Sequence, residues 1–259
     1  MIGGLQLEGV CVSRDDVPVI ADVTCRIAEG RWSGVIGANG SGKTTLLRAV
    51  AGRLPIAAGH LTIDGTDRTA DRAWRARHIG FAPEGDALPG ALSGAELFGI
   101  LADGSSRSAA EASLRPLRTA LDVDAIAAHP IHACSAGMRQ RIAIFCAFVG
   151  GQRTVILDEP FNWLDPLAAF DVRAALRELV DGGLTLVTAL HDLSTLASSC
   201  EEGLLMRDGE VALTLDAERL RQARRDPAAF ERETIDYLRR QGGIAHGLPV
   251  TATATRSPS

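Results

Sequence analysis

The sequence predicts an α/β fold built on a mixed, largely parallel sheet, with an antiparallel β region ahead of it and a helical insert within it. Three observations carry that reading. Short strand runs of buried type at Ser33 to Ile36, Thr154 to Leu157 and Leu184 to Leu190 alternate with helical stretches at Lys43 to Ala51 and Pro166 to Val180. Alternation on this scale implies parallel strands joined by crossover helices. The opening 35 residues alternate apolar stretches with turn residues, whereas residues 85–150 are Ala- and Leu-rich and lack strand runs, which suits several helices.

Element by element, Val10 to Val12 and Val19 to Ile27 read as strands on either side of the polar turn Ser13-Arg14-Asp15-Asp16. Ser33 to Ile36 runs into Gly37-Ala38-Asn39-Gly40-Ser41-Gly42, and the helix from Lys43 is closed by Gly52, a favoured residue just past a helix end. A hairpin follows at Ile63-Asp64-Gly65, then a strand from His78 to Ala82 stopped by Pro83. Asp226-Pro227 reads as the cap and first-turn proline of a terminal helix reaching about Arg240. Its apolar positions Phe230, Tyr237 and Leu238 suit either packing on the core or dimerisation. The expected organisation is one domain over 1–240, with a helical part at 85–150, a C-terminal helical extension at 216–240 and a disordered tail over 241–259.

Composition narrows the functional classes. Of the 259 residues, 46% are hydrophobic and 23% charged, the balance of a globular chain. The longest apolar run, Ile142 to Val149, has eight residues, against the roughly 20 that span a bilayer. The start, MIGGLQLEG, has neither a basic region nor an apolar signal core. A cytoplasmic protein is expected, peripheral to the inner face of the cell membrane through a partner. A net charge of −5 leaves no basic excess to neutralise phosphates, so nucleic acid is not an expected partner. The five cysteines are odd in number, widely spaced and form no CxxC pair, which reads as packed, reduced thiols. The 27 basic residues include one lysine, Lys43, at a place where a compact charge on a flexible stem differs from a guanidinium.

Gly37-Ala38-Asn39-Gly40-Ser41-Gly42-Lys43-Thr44 matches G-x-x-x-x-G-K-[ST], between a strand and a helix. Glycines let successive backbone N–H groups converge on phosphate oxygens, and the helix dipole adds positive charge. Lys43 can reach the β- and γ-phosphates, and the Thr44 hydroxyl can ligate Mg²⁺. This is the sequence of a nucleotide site. Thr154-Val155-Ile156-Leu157-Asp158-Glu159-Pro160 places two carboxylates at the carboxyl end of an apolar strand, where open α/β sheets bind ligands. Asp158 suits Mg²⁺, through water, and Glu159 suits polarisation of an attacking water.

In this order the motifs resemble the ATP-binding subunit of an ABC transporter, over roughly residues 5–215. Cys134-Ser135-Ala136-Gly137-Met138 resembles the signature sequence, Asn162-Trp163-Leu164-Asp165 the D-loop, and His191 in Ala-Leu-His-Asp the switch histidine. Ile79 to Glu84 resembles the strand and Q-loop, and Leu92-Ser93-Gly94-Ala95-Glu96-Leu97 a phrase that often follows it. The spacings fit: 115 residues from Lys43 to Asp158, 23 from Ser135 to Asp158 and 33 from Asp158 to His191. The resemblance implies the P-loop NTPase fold of ABC-type ATPases, ATP and Mg²⁺ as cofactors, and hydrolysis coupled to transport. It implies ATP held by Gly37, Asn39, Gly40, Ser41, Gly42, Lys43, Thr44 and Thr45, and metal by Thr44, Asp158 and Glu84. Glu159 and His191 would be catalytic, Ser135 and Gly137 would meet the partner's ATP across a dimer, and Asp165 would couple the two sites. The implied partners are a second copy or a similar ATPase subunit, and a separate integral membrane subunit docking near Glu84 to Leu97.

The pattern also departs from the family. Glu84 stands where glutamine is usual, Ala136 and Met138 replace Gly and Gln of the signature, and Arg14 stands where an aromatic residue commonly stacks on adenine. Arg14 can stack on the base or be an exposed turn residue. Glu84 and the Ser-x-Gly-Met variant lean toward an exporter. The length and the Ala-Leu-His-Asp-Leu segment also suit an importer of a chelated metal or cofactor. A non-transport ATPase lacks support: there is one cassette, no heptad run and a negative charge. A regulatory nucleotide-binding subunit would be expected to lose Lys43, Asp158, Glu159 or His191, and all four are present.

Overall fold

The structure is a computed structural model and describes residues 3–102 and 112–242. Strands β1 (Gly4–Arg14) and β2 (Val17–Ala28) form a hairpin in which Arg14 pairs with Val17. Asp15 and Asp16 both have positive φ, 50° and 62°, the backbone of a tight turn whose twist matches that of the strands it joins. Strands β4 (Ala58–Ile63) and β5 (Thr66–Asp67) meet at Asp64-Gly65 in the same way, and the four make an antiparallel sheet in the order β2-β1-β4-β5.

The second sheet runs β10-β9-β3-β8-β7-β6. Its strands are β3 (Trp32–Ile36), β6 (Ile79–Phe81), β7 (Thr154–Asp158), β8 (Thr185–Leu190), β9 (Glu202–Arg207) and β10 (Glu210–Leu215). The five from β9 to β6 are parallel, and β10 joins the edge antiparallel. Both faces of this sheet are covered. Trp32, Ile36, Val155, Leu157, Leu186 and Leu190 belong to one core, whereas Val35, Ile156, Val187, Ala189 and Leu204 belong to another, shared with β1, β2, β4 and the helix after β3. Alternate residues thus face opposite cores, which is why these strands read as unbroken apolar runs rather than alternating ones. Trp32, fully buried, keeps its indole satisfied by donating to the Thr188 hydroxyl at 2.9 Å.

The helices start where capping residues stand. Helix α1 (Lys43–Val50) follows Gly42, and Gly52 takes a positive φ of 71° just past its end. Helix α2 (Arg72–His78) is capped by Asp71, whose carboxylate accepts from the Trp74 N–H at 2.9 Å. His78 belongs to this helix rather than to the strand after it, because its ring stacks on Trp74 one turn back, 4.1 Å between centroids. Helix α3 (Gly94–Leu101) opens on a reciprocal capping box between Ser93 and Glu96. Beyond residues 103–111 come α4 (Arg115–Ala120), α5 (Val123–Ile126) and α6 (Ala136–Cys146). Helix α7 (Pro166–Asp181) begins with proline after Asp165, α8 (Leu193–Ser199) after Asp192, and α9 (Ala217–Arg225) after Asp216. Helix α10 (Pro227–Gly242) is capped by Asp226 and packs on the core: Phe230 is buried and the Tyr237 hydroxyl donates to the Ala212 carbonyl at 2.9 Å. The expected disordered tail falls, past Gly242, outside the described residues. All five cysteines are free thiols.

Candidate nucleotide site

The glycine-rich loop leaves the carboxyl end of β3, a central strand, and delivers the chain into α1. Gly42 has φ 98°, a left-handed conformation that side chains with a Cβ rarely adopt. It turns the backbone so that α1 starts directly behind the loop, with its unpaired N–H groups facing the space the loop encloses. Lys43 is buried, and its Nζ donates to the carbonyls of Gly37 at 2.8 Å and Ala38 at 3.3 Å. The ammonium therefore lies folded across the loop, within reach of any anion that displaces it. Of the remaining loop residues, Ser41 and Thr45 are buried, and Asn39 and Gly40 are exposed.

Two strands away, β7 carries Asp158 to the same end of the sheet. Its carboxylate hydrogen-bonds the Thr44 hydroxyl. Burial pushes the Asp158 carboxyl up from the ordinary range. The Thr44 hydrogen bond opposes that rise, Glu159 adds to it, and Arg48 and Lys43 oppose it. Asp158 Oδ1 and the Ser41 hydroxyl are both buried without a hydrogen-bond partner. A buried, unsatisfied carboxylate oxygen beside a threonine hydroxyl fits a hard cation such as Mg²⁺, which prefers oxygen donors.

Glu159 takes a positive φ of 51°, backbone strain of the kind that clusters at functional sites. Its Oε2 lies 2.6 Å from His191 Nε2, at the end of β8, and accepts from Asn162 Nδ2 at 2.9 Å. Asn162 Nδ2 also lies 3.4 Å from His191 Nε2. The carboxylate, the imidazole and the amide thus form one polar cluster over the β7 and β8 ends. It borders a hollow of about 330 Å³ lined by Thr44, Arg48, Glu84, Gln140, Asp158 and Glu159. Glu84 pairs with Arg48 of α1. The extra negative charge beside Asp158 and Glu159 therefore comes with its own guanidinium.

The other expected residues lie as follows. Ser135 caps α6, its hydroxyl accepting from the Met138 N–H at 3.2 Å. Gly137 lies inside the first turn of that helix rather than ahead of it. Asp165 caps α7 by accepting from Leu167 N and Ala168 N at 3.1 and 2.9 Å, and pairs with Arg141 at 3.3 Å. Both its oxygens thus have partners within this chain. Arg14 is exposed at the β1–β2 turn and lies 4.0 Å from Asp15. Sequence reasoning gave no role to Arg48 or Asn162. Arg48 lies 36 positions from its partner in the chain, and no spacing rule connects them.

A family model described as "ABC transporter" matches residues 20–162. The chain is 32% identical over 216 residues to the hemin import ATP-binding protein HmuV of Pseudomonas entomophila, covering 79% of this chain and 84% of that protein. It is 34% identical over 211 residues to the Fe(3+) ions import ATP-binding protein FbpC of Streptomyces coelicolor, covering 80% of this chain and 60% of that one. Among solved structures, one described as the ATP binding subunit of an ABC transporter superposes with a TM-score of 0.74 at 25% identity, covering 94% of this chain and 95% of the other.

Proposed function

The chain belongs to the ABC transporter family as an ATP-binding subunit that hydrolyses ATP with Mg²⁺ to drive transport, and from that premise we propose that it powers an importer, one for iron or an iron-bearing chelate. The observation that carries this reading is the match, along most of the chain, to the ATPases of hemin and Fe(3+) importers. It favours the importer alternative over the sequence-based preference for export, and the site offers no separate support for export. Glu84 is compensated by Arg48, so its charge reflects a local ion pair and says nothing of the direction of transport.

In this reading Gly37, Asn39, Gly40, Ser41, Gly42, Lys43, Thr44 and Thr45 hold the phosphates of ATP. Lys43 would move its ammonium from the loop carbonyls to phosphate oxygens, where each charge-assisted bond contributes on the order of 1.5–3 kcal/mol, offset by the carbonyl bonds it gives up. Thr44 and Asp158 would hold Mg²⁺, with Glu84 at the rim of the hollow, and a bound ion would supply positive charge against the phosphates. Glu159 polarises the attacking water. His191 and Asn162 hold that carboxylate now and would have to yield an oxygen of it to water during turnover. Ser135, Gly137 and the N-terminus of α6 meet the ATP of a partner cassette, and Asp165 supports that face by fixing the start of α7. Residues 1–240 act as one ATPase unit, with 85–150 as its helical part.

Among the described residues no helix is long and apolar enough to cross a membrane. The proposal also includes the separate membrane subunit that membership of the family implies. Its seat is a groove of about 1320 Å³ between α2 and β6 on one side and α3 and α4 on the other, with Phe98, Leu101, Phe145 and Val149 as apolar lining and Arg77 and Arg118 among its charges. Of the expected docking segment, Glu84 to Leu97, only Ala95 lines this groove. The test is uptake in the source cells carrying Glu159→Gln. Accumulation of radiolabelled hemin or ferric chelate should fall to background. A rise in cellular label would mean export, and unchanged accumulation would exclude both cargoes.

A further inference from the structure

Four carboxylates line the hollow, Glu84, Asp86, Asp158 and Glu159, and Arg48 is the one cation among its lining residues. Two of the four stand on a single rim segment and are met by arginines from different helices. Glu84 pairs with Arg48 of α1, its one side-chain partner among the described residues. Asp86 accepts from Arg139 Nη2 of α6 at 3.1 Å, while Arg139 Nη1 donates to the Cys134 carbonyl at 2.6 Å. Between the two carboxylates, a Cβ on Gly85 would stand 3.3 Å from the Arg139 Cβ, so the rim packs closely on α6. The Ala87 N–H donates to the Glu84 carbonyl at 2.9 Å. That bond fixes the backbone of the rim and leaves the Glu84 side chain to Arg48. Asp158 differs: its Oδ1 is buried without a partner, and Arg48 acts on it only through its charge.

We propose that Arg48 is a positioning residue of this ATPase: it pins Glu84 to the rim and offsets its charge, which leaves Asp158 and Glu159 as the carboxylates open to ion and water. The inference rests on the nucleotide site proposed above. Mg·ATP is still an anion, and a hollow lined by four carboxylates repels it. A guanidinium held against a rim carboxylate lessens that repulsion. A neutral glutamine at position 84 would need no such partner, so the role of Arg48 is tied to the glutamate. The charge acts alike on the bound nucleotide and on its transition state, so its loss belongs in KM rather than in kcat.

The test is a double-mutant cycle on the full chain: wild type, Arg48→Met, Glu84→Gln and the pair together. Titration with trinitrophenyl-ATP and Mg²⁺ reports binding, and steady-state hydrolysis reports KM and kcat separately. A thermal melt checks that each protein is folded, and Arg48→Gln replaces Arg48→Met if the latter is not. Arg48→Met should weaken binding and raise KM about tenfold, with kcat within about threefold of wild type. In the Glu84→Gln background the same substitution should change either quantity by less than about threefold. A cation that touched the phosphates directly would be missed equally in both backgrounds, so equal losses would overturn the positioning role and leave the nucleotide site standing. Unchanged binding in Arg48→Met, or a loss confined to kcat, would overturn it as well. A wild-type chain that binds no trinitrophenyl-ATP would overturn the nucleotide site, and the inference with it.

Discussion

At the scale of single residues, the proposed role of Asp158 as a metal ligand comes at the expense of stability. Its carboxylate is buried, shares its surroundings with Glu159, and has one oxygen without a hydrogen-bond partner. Because its pKa stands above the value of 3.8 expected in an unfolded chain, the folded state keeps the proton longer. Stability from this group is complete below about pH 4 and declines as pH rises through the folded value, so at neutral pH the ionised carboxylate is a net cost. Asp158→Asn should therefore raise the melting temperature of the nucleotide-free protein at pH 7 by about 2–6 °C. The gain over wild type should shrink toward pH 4, and stabilisation by Mg·ATP should be weakened. Thermal unfolding across pH checks this, and a variant less stable than wild type at pH 7 would contradict it.

At the scale of elements, legibility followed burial. Strands β3, β7 and β8 were readable because both faces are covered, leaving runs with few polar residues. Helices α1, α7 and α10 were readable from their glycine, proline and aspartate punctuation. Helix α2 was not, because its one fully buried side chain is Arg75, which inverts the pattern an amphipathic helix should show. Helix α9 buries only Leu220 and Ala223 among many charges, too thin a stripe to mark a period, and β9 and β10 went unread beside it. In the site, Lys43, Asp158, Glu159 and His191 each belong to a motif with fixed spacing; Asn162 stands in the D-loop segment, but its bond to Glu159 and the pairing of Arg48 with Glu84 appear only in the folded geometry. The groove beside α3 yields an element-scale prediction. Leu101 is 41% exposed at its edge, and Leu101→Glu should abolish transport while leaving the ATPase rate of the isolated chain within about twofold, as expected of a surface change away from the chemistry. Joint loss of both activities would show that the groove does not serve the membrane subunit.

At the scale of the molecule, the parallel sheet gathers to one edge what the sequence scatters over about 150 positions: the loop after β3, the carboxylates ending β7 and the histidine ending β8. Helix α6 adds Gln140 to the lining of the hollow, whereas its capped N-terminus and the exposed Leu167 and Phe170 of α7 are not among the lining residues. In the proposed function a single cassette is half of an ATPase, and its turnover depends on a second. The most direct measurement is ATP hydrolysis by the purified chain, wild type beside Glu159→Gln, with nucleotide binding followed in parallel. The account predicts that the substitution lowers turnover on the order of 10²–10⁴-fold while ATP still binds. Equal turnover in the two proteins would contradict it and remove Glu159 from the chemistry.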